Sequence, residues 1–228
     1  MTEFKICGMR SLEHALVAAD AGASMLGFVF VPGVRRQVPI EQAQHIISSL
    51  REIRGAECPR IVGLFANQPL EEVNNIVNRC ELDFAQLCGD EPPSFWDNVD
   101  SWVIRQVKVD DSIPRKEAVS DALRQIDEVV SRLHLTLLDK RVKGALGGTG
   151  HTFDWNIASE IARRHPVFLA GGLAPENVRQ AIDTVRPWGV DVSSGVETDG
   201  IKDTAKIAEF ARVIRAAASQ NTPVNVNG

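Results

Sequence analysis

No apolar run in this sequence approaches the roughly 20 residues that a membrane-spanning helix needs, so no transmembrane segment is expected. There is no excess of positive charge either. The net charge is -5, which removes the usual reason to expect nucleic acid or an anionic membrane as partner. Cysteine is sparse: Cys7, Cys58, Cys80 and Cys88 are the only four, and no two have C-x-x-C spacing. Zinc and redox motifs of that kind are therefore excluded, and four free thiols in a reducing cytosol are expected. The first residues show no signal-peptide pattern, which also points to a cytoplasmic protein. No linker marks a second domain. The five histidines do not gather at strand ends with carboxylates: His14, His45 and His165 fall on helices or their ends as surface groups, and His134 begins a strand. No metal set emerges, and no cofactor is expected.

What the sequence does have is alternation. Eight apolar runs, at 4–7, 25–31, 61–66, 83–87, 102–109, 134–138, 167–170 and 189–192, each give way to a segment of helical period. Ala43, Ile46, Ile47 and Leu50 mark one apolar helical face, and Val119, Ala122, Ile126 and Val129 another. The segment at 94–99 reads as a short helix. Asp154 and Asp203 stand where helix N-caps belong. Strands joined by helices must run parallel, with right-handed crossovers. Eight such units in 228 residues predict an α/β fold, a single (β/α)8 TIM barrel with parallel strands. An open doubly wound sheet is the runner-up, but no G-x-G-x-x-G follows Cys7. The barrel is expected over 1–218, with a polar, frayed tail at 219–228.

Barrels of this kind carry their chemistry at the C-terminal ends of the strands. That rule selects Cys7, Arg35, Arg36, Asn67, Cys88, Gln106, Lys108, Asp139, Gly171, Gly172, Asp191, Ser193, Ser194 and Gly195. Asp139 sits where the sixth run stops, just before a loop with four glycines between Gly144 and Gly150. Alone, such an aspartate is more often a turn cap than a catalyst. His151, in the same loop, is a secondary candidate. Gly171 and Gly172 after the seventh strand, with Ser194 and Gly195 after the eighth, suit a phosphate, because glycine lets backbone N–H groups approach an anion. Cys7 is either an inert buried thiol or a base or nucleophile.

Several motifs, taken together, carry a resemblance. Lys5-Ile6-Cys7-Gly8, Gly27-Phe28-Val29-Phe30, Leu138-Asp139, Gly147-Gly148-Thr149-Gly150, Leu169-Ala170-Gly171-Gly172 and Val190-Asp191-Val192-Ser193-Ser194-Gly195-Val196-Glu197 resemble phosphoribosylanthranilate isomerases, in that family's order. The resemblance implies a metal-free barrel enzyme of tryptophan biosynthesis acting on a small phosphosugar, with Asp139 as general acid and Cys7 as general base. The base should then lose its proton easily, which cationic neighbours would favour. By the same resemblance Arg36 faces the substrate's carboxylate, with Asp191 orienting it or the substrate's amino group, and Arg35 is expected to point outward. Two positions depart from the family pattern: Val34-Arg35-Arg36 stands for Ser-Pro-Arg, and Cys88 stands for a histidine.

Overall fold

The computed structural model describes residues 2–140 and 152–220. The glycine-rich loop at 144–150, His151 and the tail at 221–228 lie outside the described residues.

Eight strands close into a barrel: β1 (Glu3–Cys7), β2 (Met25–Val29), β3 (Arg60–Phe65), β4 (Phe84–Leu87), β5 (Trp102–Val109), β6 (Leu135–Lys140), β7 (Val167–Leu169) and β8 (Gly189–Val192). Each pairs in parallel with the next, and β1 closes on β8 with Lys5 opposite Asp191. The connecting helices are α1 (Leu12–Asp20), α2 (Ile40–Arg54), α3 (Leu70–Cys80), α4 (Pro93–Trp96), α5 (Arg115–Ser131), α6 (Trp155–Ala162), α7 (Val178–Val185) and α8 (Thr204–Gln220). A two-stranded ribbon, β9 (Glu197–Thr198) and β10 (Ile201–Lys202), intervenes between β8 and α8. Among the described residues no helix is long and apolar enough to cross a membrane.

Side chains alternate across each strand, so the barrel has two cores. Phe4 and Ile6 of β1 and Leu26 and Phe28 of β2 face the helices, where they pack with Phe210 and Ile47. Met25, Val62, Ile104, Leu137 and Phe168 fill the interior. Gly189 has no side chain because Phe168 occupies that space: a Cβ there would lie 2.4 Å from its ring. Above this plug lies a third, smaller group, Cys7, Val29, Val31, Ala66 and Cys88, at the mouth formed by the strands' C-terminal ends.

Local signals place the elements well and their ends less well. Asp154 caps α6 by accepting from the Asn156 N–H, and Asp203 accepts from the N–H groups of Ala205 and Lys206. The helix expected at 94–99 is shorter, a single turn at Pro93–Trp96. Strand β6 runs two residues past its expected end, so Asp139 lies within the strand. His134 is half-buried beneath that strand, and so are His14 and His165, which were expected at the surface; His165 pairs with Asp127 at 3.1 Å.

Candidate active site

The inward parity of the strands decides which polar groups meet. On β1 it selects Lys5 and Cys7; on β4, Gln86, with Cys88 following; on β5, Gln106; on β6, Asp139; on β8, Asp191. Cys7, Arg36, Gln86, Cys88, Gln106, Asp139, Gly171, Gly172, Asp191 and Ser194 line one cavity at the C-terminal mouth. Around the rim the order is β6, β7, β8, β1. Asp139 and Cys7 thus flank the two strands whose loops carry the glycines.

Asp139 is buried, and two of the groups that hold it are donors from β5 and its own strand. Gln106 Nε2 donates to Oδ2 at 2.7 Å, and the Lys140 N–H donates to Oδ1 at 2.8 Å. The Oε1 atoms of Gln86 and Gln106 are buried and accept no hydrogen bond among the described residues. They are two unsatisfied acceptors on residues that line the cavity.

Cys7 is 5% exposed. Gly27 makes room for it, since a Cβ there would lie 3.1 Å from the sulfur. Gly8, next in the chain, has φ +87°, and a side chain on it would meet Arg36 Cδ at 2.8 Å. The Cys-Gly step therefore lets Arg36 lie against the backbone beside the thiol. Ser193 Oγ donates to the Cys7 carbonyl at 3.1 Å and ties β8 to the same spot.

The cationic neighbours expected for Cys7 are present as Lys5, Lys202 and Arg36, but the expected easy loss of the proton does not follow from them. Burial pushes the thiol up, and the opposing pull of Lys5, Lys202 and Arg36 does not overcome it. Burial also pushes the Cys88 thiol up, to about 12, although Gln86 donates to its sulfur at 3.5 Å.

The carboxylate partners differ from the expected ones. Asp191 does not reach Arg36; it accepts from Lys5 Nζ at 2.9 Å, across the seam where β1 meets β8. Arg36 is held instead by Glu197, through Nε at 2.7 Å and Nη2 at 3.0 Å. Lys202 donates to the same carboxylate at 2.9 Å and to the Ser193 carbonyl at 2.8 Å. Burial alone would raise the Glu197 carboxyl, but Arg36 and Lys202 hold it at about 2. The guanidinium fork expected for a ligand carboxylate is thus already engaged on one edge, and Nη1 makes no hydrogen bond among the described residues. Arg35, expected to point outward, is half-exposed, but it lines the edge of the same cavity and reaches Glu197 at 2.7 Å.

Gly171 and Gly172 have φ of +87° and +64°, a region that glycine enters without strain. Asn177 braces this loop by donating to the Gly172 carbonyl and accepting from the Ala174 N–H, each at 2.9 Å. Ser193 and Ser194 line the cavity beside it. Gly195 does not line it. A Cβ at Gly195 would fall 1.9 Å from the Leu173 carbonyl oxygen, so this glycine lets the loop after β8 touch the loop after β7. Among the described residues no group of three His, Cys, Asp or Glu is placed to hold a metal ion.

Lys5, Gln86, Glu197 and Lys202 were not singled out from the sequence. Lys5 and Gln86 share strand parity with Cys7 and Cys88, a signal open to inspection. Glu197 and Lys202 flank Asp199-Gly200, a dipeptide typical of a hairpin turn.

The model for N-(5′-phosphoribosyl)anthranilate (PRA) isomerase matches residues 4–213. A protein of that name from Roseiflexus castenholzii is 46% identical over 218 residues, covering 94% of this chain and 98% of its own. One from Geobacter sulfurreducens is 46% identical over 213 residues, with 93% and 98% covered. The phosphoribosylanthranilate isomerase structure from Thermotoga maritima superposes with a TM-score of 0.79 at 34% identity, over 95% of this chain and 100% of that one. A further isomerase structure, in complex with reduced 1-(o-carboxyphenylamino)-1-deoxyribulose 5-phosphate, gives 0.77 at 33% identity over the same shares.

Proposed function

The chain belongs to the N-(5′-phosphoribosyl)anthranilate isomerase family, enzymes of tryptophan biosynthesis, and from that membership we propose that Asp139 and Cys7 carry the reaction as acid and base. The substrate is N-(5′-phosphoribosyl)anthranilate and the product 1-(2-carboxyphenylamino)-1-deoxyribulose 5-phosphate, an Amadori rearrangement. Asp139 protonates the furanose ring oxygen. The C1′–O bond breaks as the nitrogen lone pair forms the C1′=N bond of a Schiff base. Cys7 as thiolate then takes the proton from C2′. The electron pair of that C–H bond forms C1′=C2′ and neutralises the nitrogen. The enolamine so formed gains a proton at C1′ while its C2′ hydroxyl loses one, and the C2′–O bond becomes the ketone.

The observation that carries this reading is the placement of two buried groups with opposite tasks on one cavity, with the glycine loops of β7 and β8 between them on the rim. A phosphate at Gly171, Gly172 and Ser194 leaves the sugar carbons toward Asp139 and Cys7. Gly195 acts on that phosphate through the packing of the two loops. Arg36, fixed by Glu197, offers its remaining edge to the anthranilate carboxylate. Asp191, held by Lys5, is left to meet the substrate's amino group with its other oxygen. The reaction needs no metal or cofactor, and its small-molecule substrate fits the cytoplasmic setting expected from the four thiols.

The test is the loss of anthranilate fluorescence when protein is mixed with freshly made phosphoribosylanthranilate. Asp139→Asn keeps the shape of the acid but cannot supply its proton, so ring opening should fall about 10²–10⁴-fold, while the reduced product analogue still binds. Wild-type turnover in Asp139→Asn would move the acid elsewhere, with His151 the next candidate.

A further inference from the structure

Lys5 is wholly buried inside the barrel, and its ammonium is bonded to Asp191 at 2.9 Å. Barrel closure does not require this. Buried ion pairs are often replaceable by apolar residues without loss of stability, because desolvation offsets their attraction. The interior just below is filled that way, by Met25, Val62, Ile104, Leu137 and Phe168. What an ion pair supplies and an apolar pair does not is a fixed charge, and Lys5 holds it two residues before Cys7, on the same inward face of β1.

We propose that Lys5 is a positioning residue for the catalytic base: held by Asp191, it supplies the fixed positive charge against which Cys7 ionises. The inference rests on the reading of Cys7 as base. The charges around the thiol support it. Lys5 faces it from β1, Asp191 from β8, Arg36 from the segment after β2 and Lys202 from β10, with Glu197 behind the last two. Asp139 on β6 and Cys88 after β4 share the cavity. The buried cations Lys5, Arg36 and Lys202, with the half-exposed Arg35 at the cavity's edge, stand against two paired carboxylates, Asp191 and Glu197. With Asp139 protonated for its role as acid and Cys88 neutral, positive charge is left in excess. The Cys7 thiolate offsets it. When Cys7 takes the C2′ proton, that negative charge moves with the electron pair to the Schiff-base nitrogen and cancels there. The Lys5–Asp191 pair stays unchanged throughout. Burial opposes the thiolate more strongly than any other influence, and Lys5 is the largest influence in its favour.

The experiment follows the alkylation of Cys7 by iodoacetamide against pH in folded, substrate-free protein, reading the Cys7 peptide by mass spectrometry. Four proteins are compared: wild type, Asp191→Asn, Lys5→Met, and the double variant Lys5→Met/Asp191→Asn. The midpoint of reactivity should rise in the order Asp191→Asn, wild type, double variant, Lys5→Met. Lys5→Met should lie about one unit or more above wild type, a tenfold loss of thiolate at a given pH. The double variant leaves no buried charge unpaired, so it remains readable if Lys5→Met does not fold. A Lys5–Asp191 pair that merely closes the seam would lower the melting temperature without this ordering. A double-variant midpoint at or below wild type, or a higher midpoint in Asp191→Asn, would overturn the proposal. Full turnover by Cys7→Ala would remove the base reading instead, whatever the order of midpoints.

Discussion

Arg36 and Glu197 are 161 positions apart in the chain and meet in two hydrogen bonds of 2.7 and 3.0 Å. A guanidinium so clamped keeps its plane, which on the proposed role of Arg36 lowers the entropy lost when the substrate carboxylate binds. Charge-assisted hydrogen bonds contribute roughly 1.5–3 kcal/mol, so Arg36→Met should weaken substrate binding about 10–150-fold. Arg35 bonds the same carboxylate, but its side chain is 55% exposed. A pair with one partner open to solvent is screened and contributes about 1 kcal/mol or less, so Arg35→Met should cost no more than about fivefold. The Michaelis constants of the two variants check this, and a larger loss in Arg35→Met would assign the clamp to Arg35. The role of Glu197 was not legible in the sequence, because nothing local joins it to Arg36. Asp191 drew attention as a strand-end acid, but strand pairing gives it to Lys5.

At the scale of elements, the ribbon β9–β10 is what delivers Glu197 and Lys202. Asp199 and Gly200 turn it with φ of +50° and +78°, and the register sets Lys202 opposite Glu197. Two charges that lie five residues apart in the chain thus sit side by side over Ser193. The loops after β7 and β8 depend on each other in a comparable way. Any Cβ at Gly195 meets the Leu173 backbone at 1.9 Å, so Gly195→Ala must push the loop after β7 away. It should destabilise by about 1–3 kcal/mol, as overpacking does, and raise the Michaelis constant more than it lowers kcat. Thermal unfolding and steady-state kinetics check it; wild-type values in both would mean that the loops do not share this contact. Helix caps such as Asp154 and Asp203 were legible because their partners lie within three residues. Strand ends were less so. Asp139 and Lys140 carry two charges and read as the start of a loop, yet pairing with β5 keeps them in the strand.

For the whole molecule, eight alternations of apolar run and amphipathic helix admit few architectures, and a closed parallel barrel satisfies both the crossover rule and the two-sided burial of its strands. Strand-end position then brought Cys7, Arg36, Gln106, Asp139, Gly171, Gly172, Asp191 and Ser194 to one cavity. The charge network behind them was harder to read, because it is made between elements distant in sequence and depends on burial. The result is a barrel whose rim carries Asp139, the two glycine loops and Cys7 in consecutive order, β6 to β1. The measurement that bears most directly on this arrangement is the turnover of phosphoribosylanthranilate by Cys7→Ala, with folding checked by circular dichroism and active-site integrity by binding of the reduced product analogue. The account predicts unchanged fold and binding with a rate about 10²–10⁴-fold below wild type, the usual worth of a general base. A folded Cys7→Ala protein that turns over within about threefold of wild type, far short of that range, would contradict it.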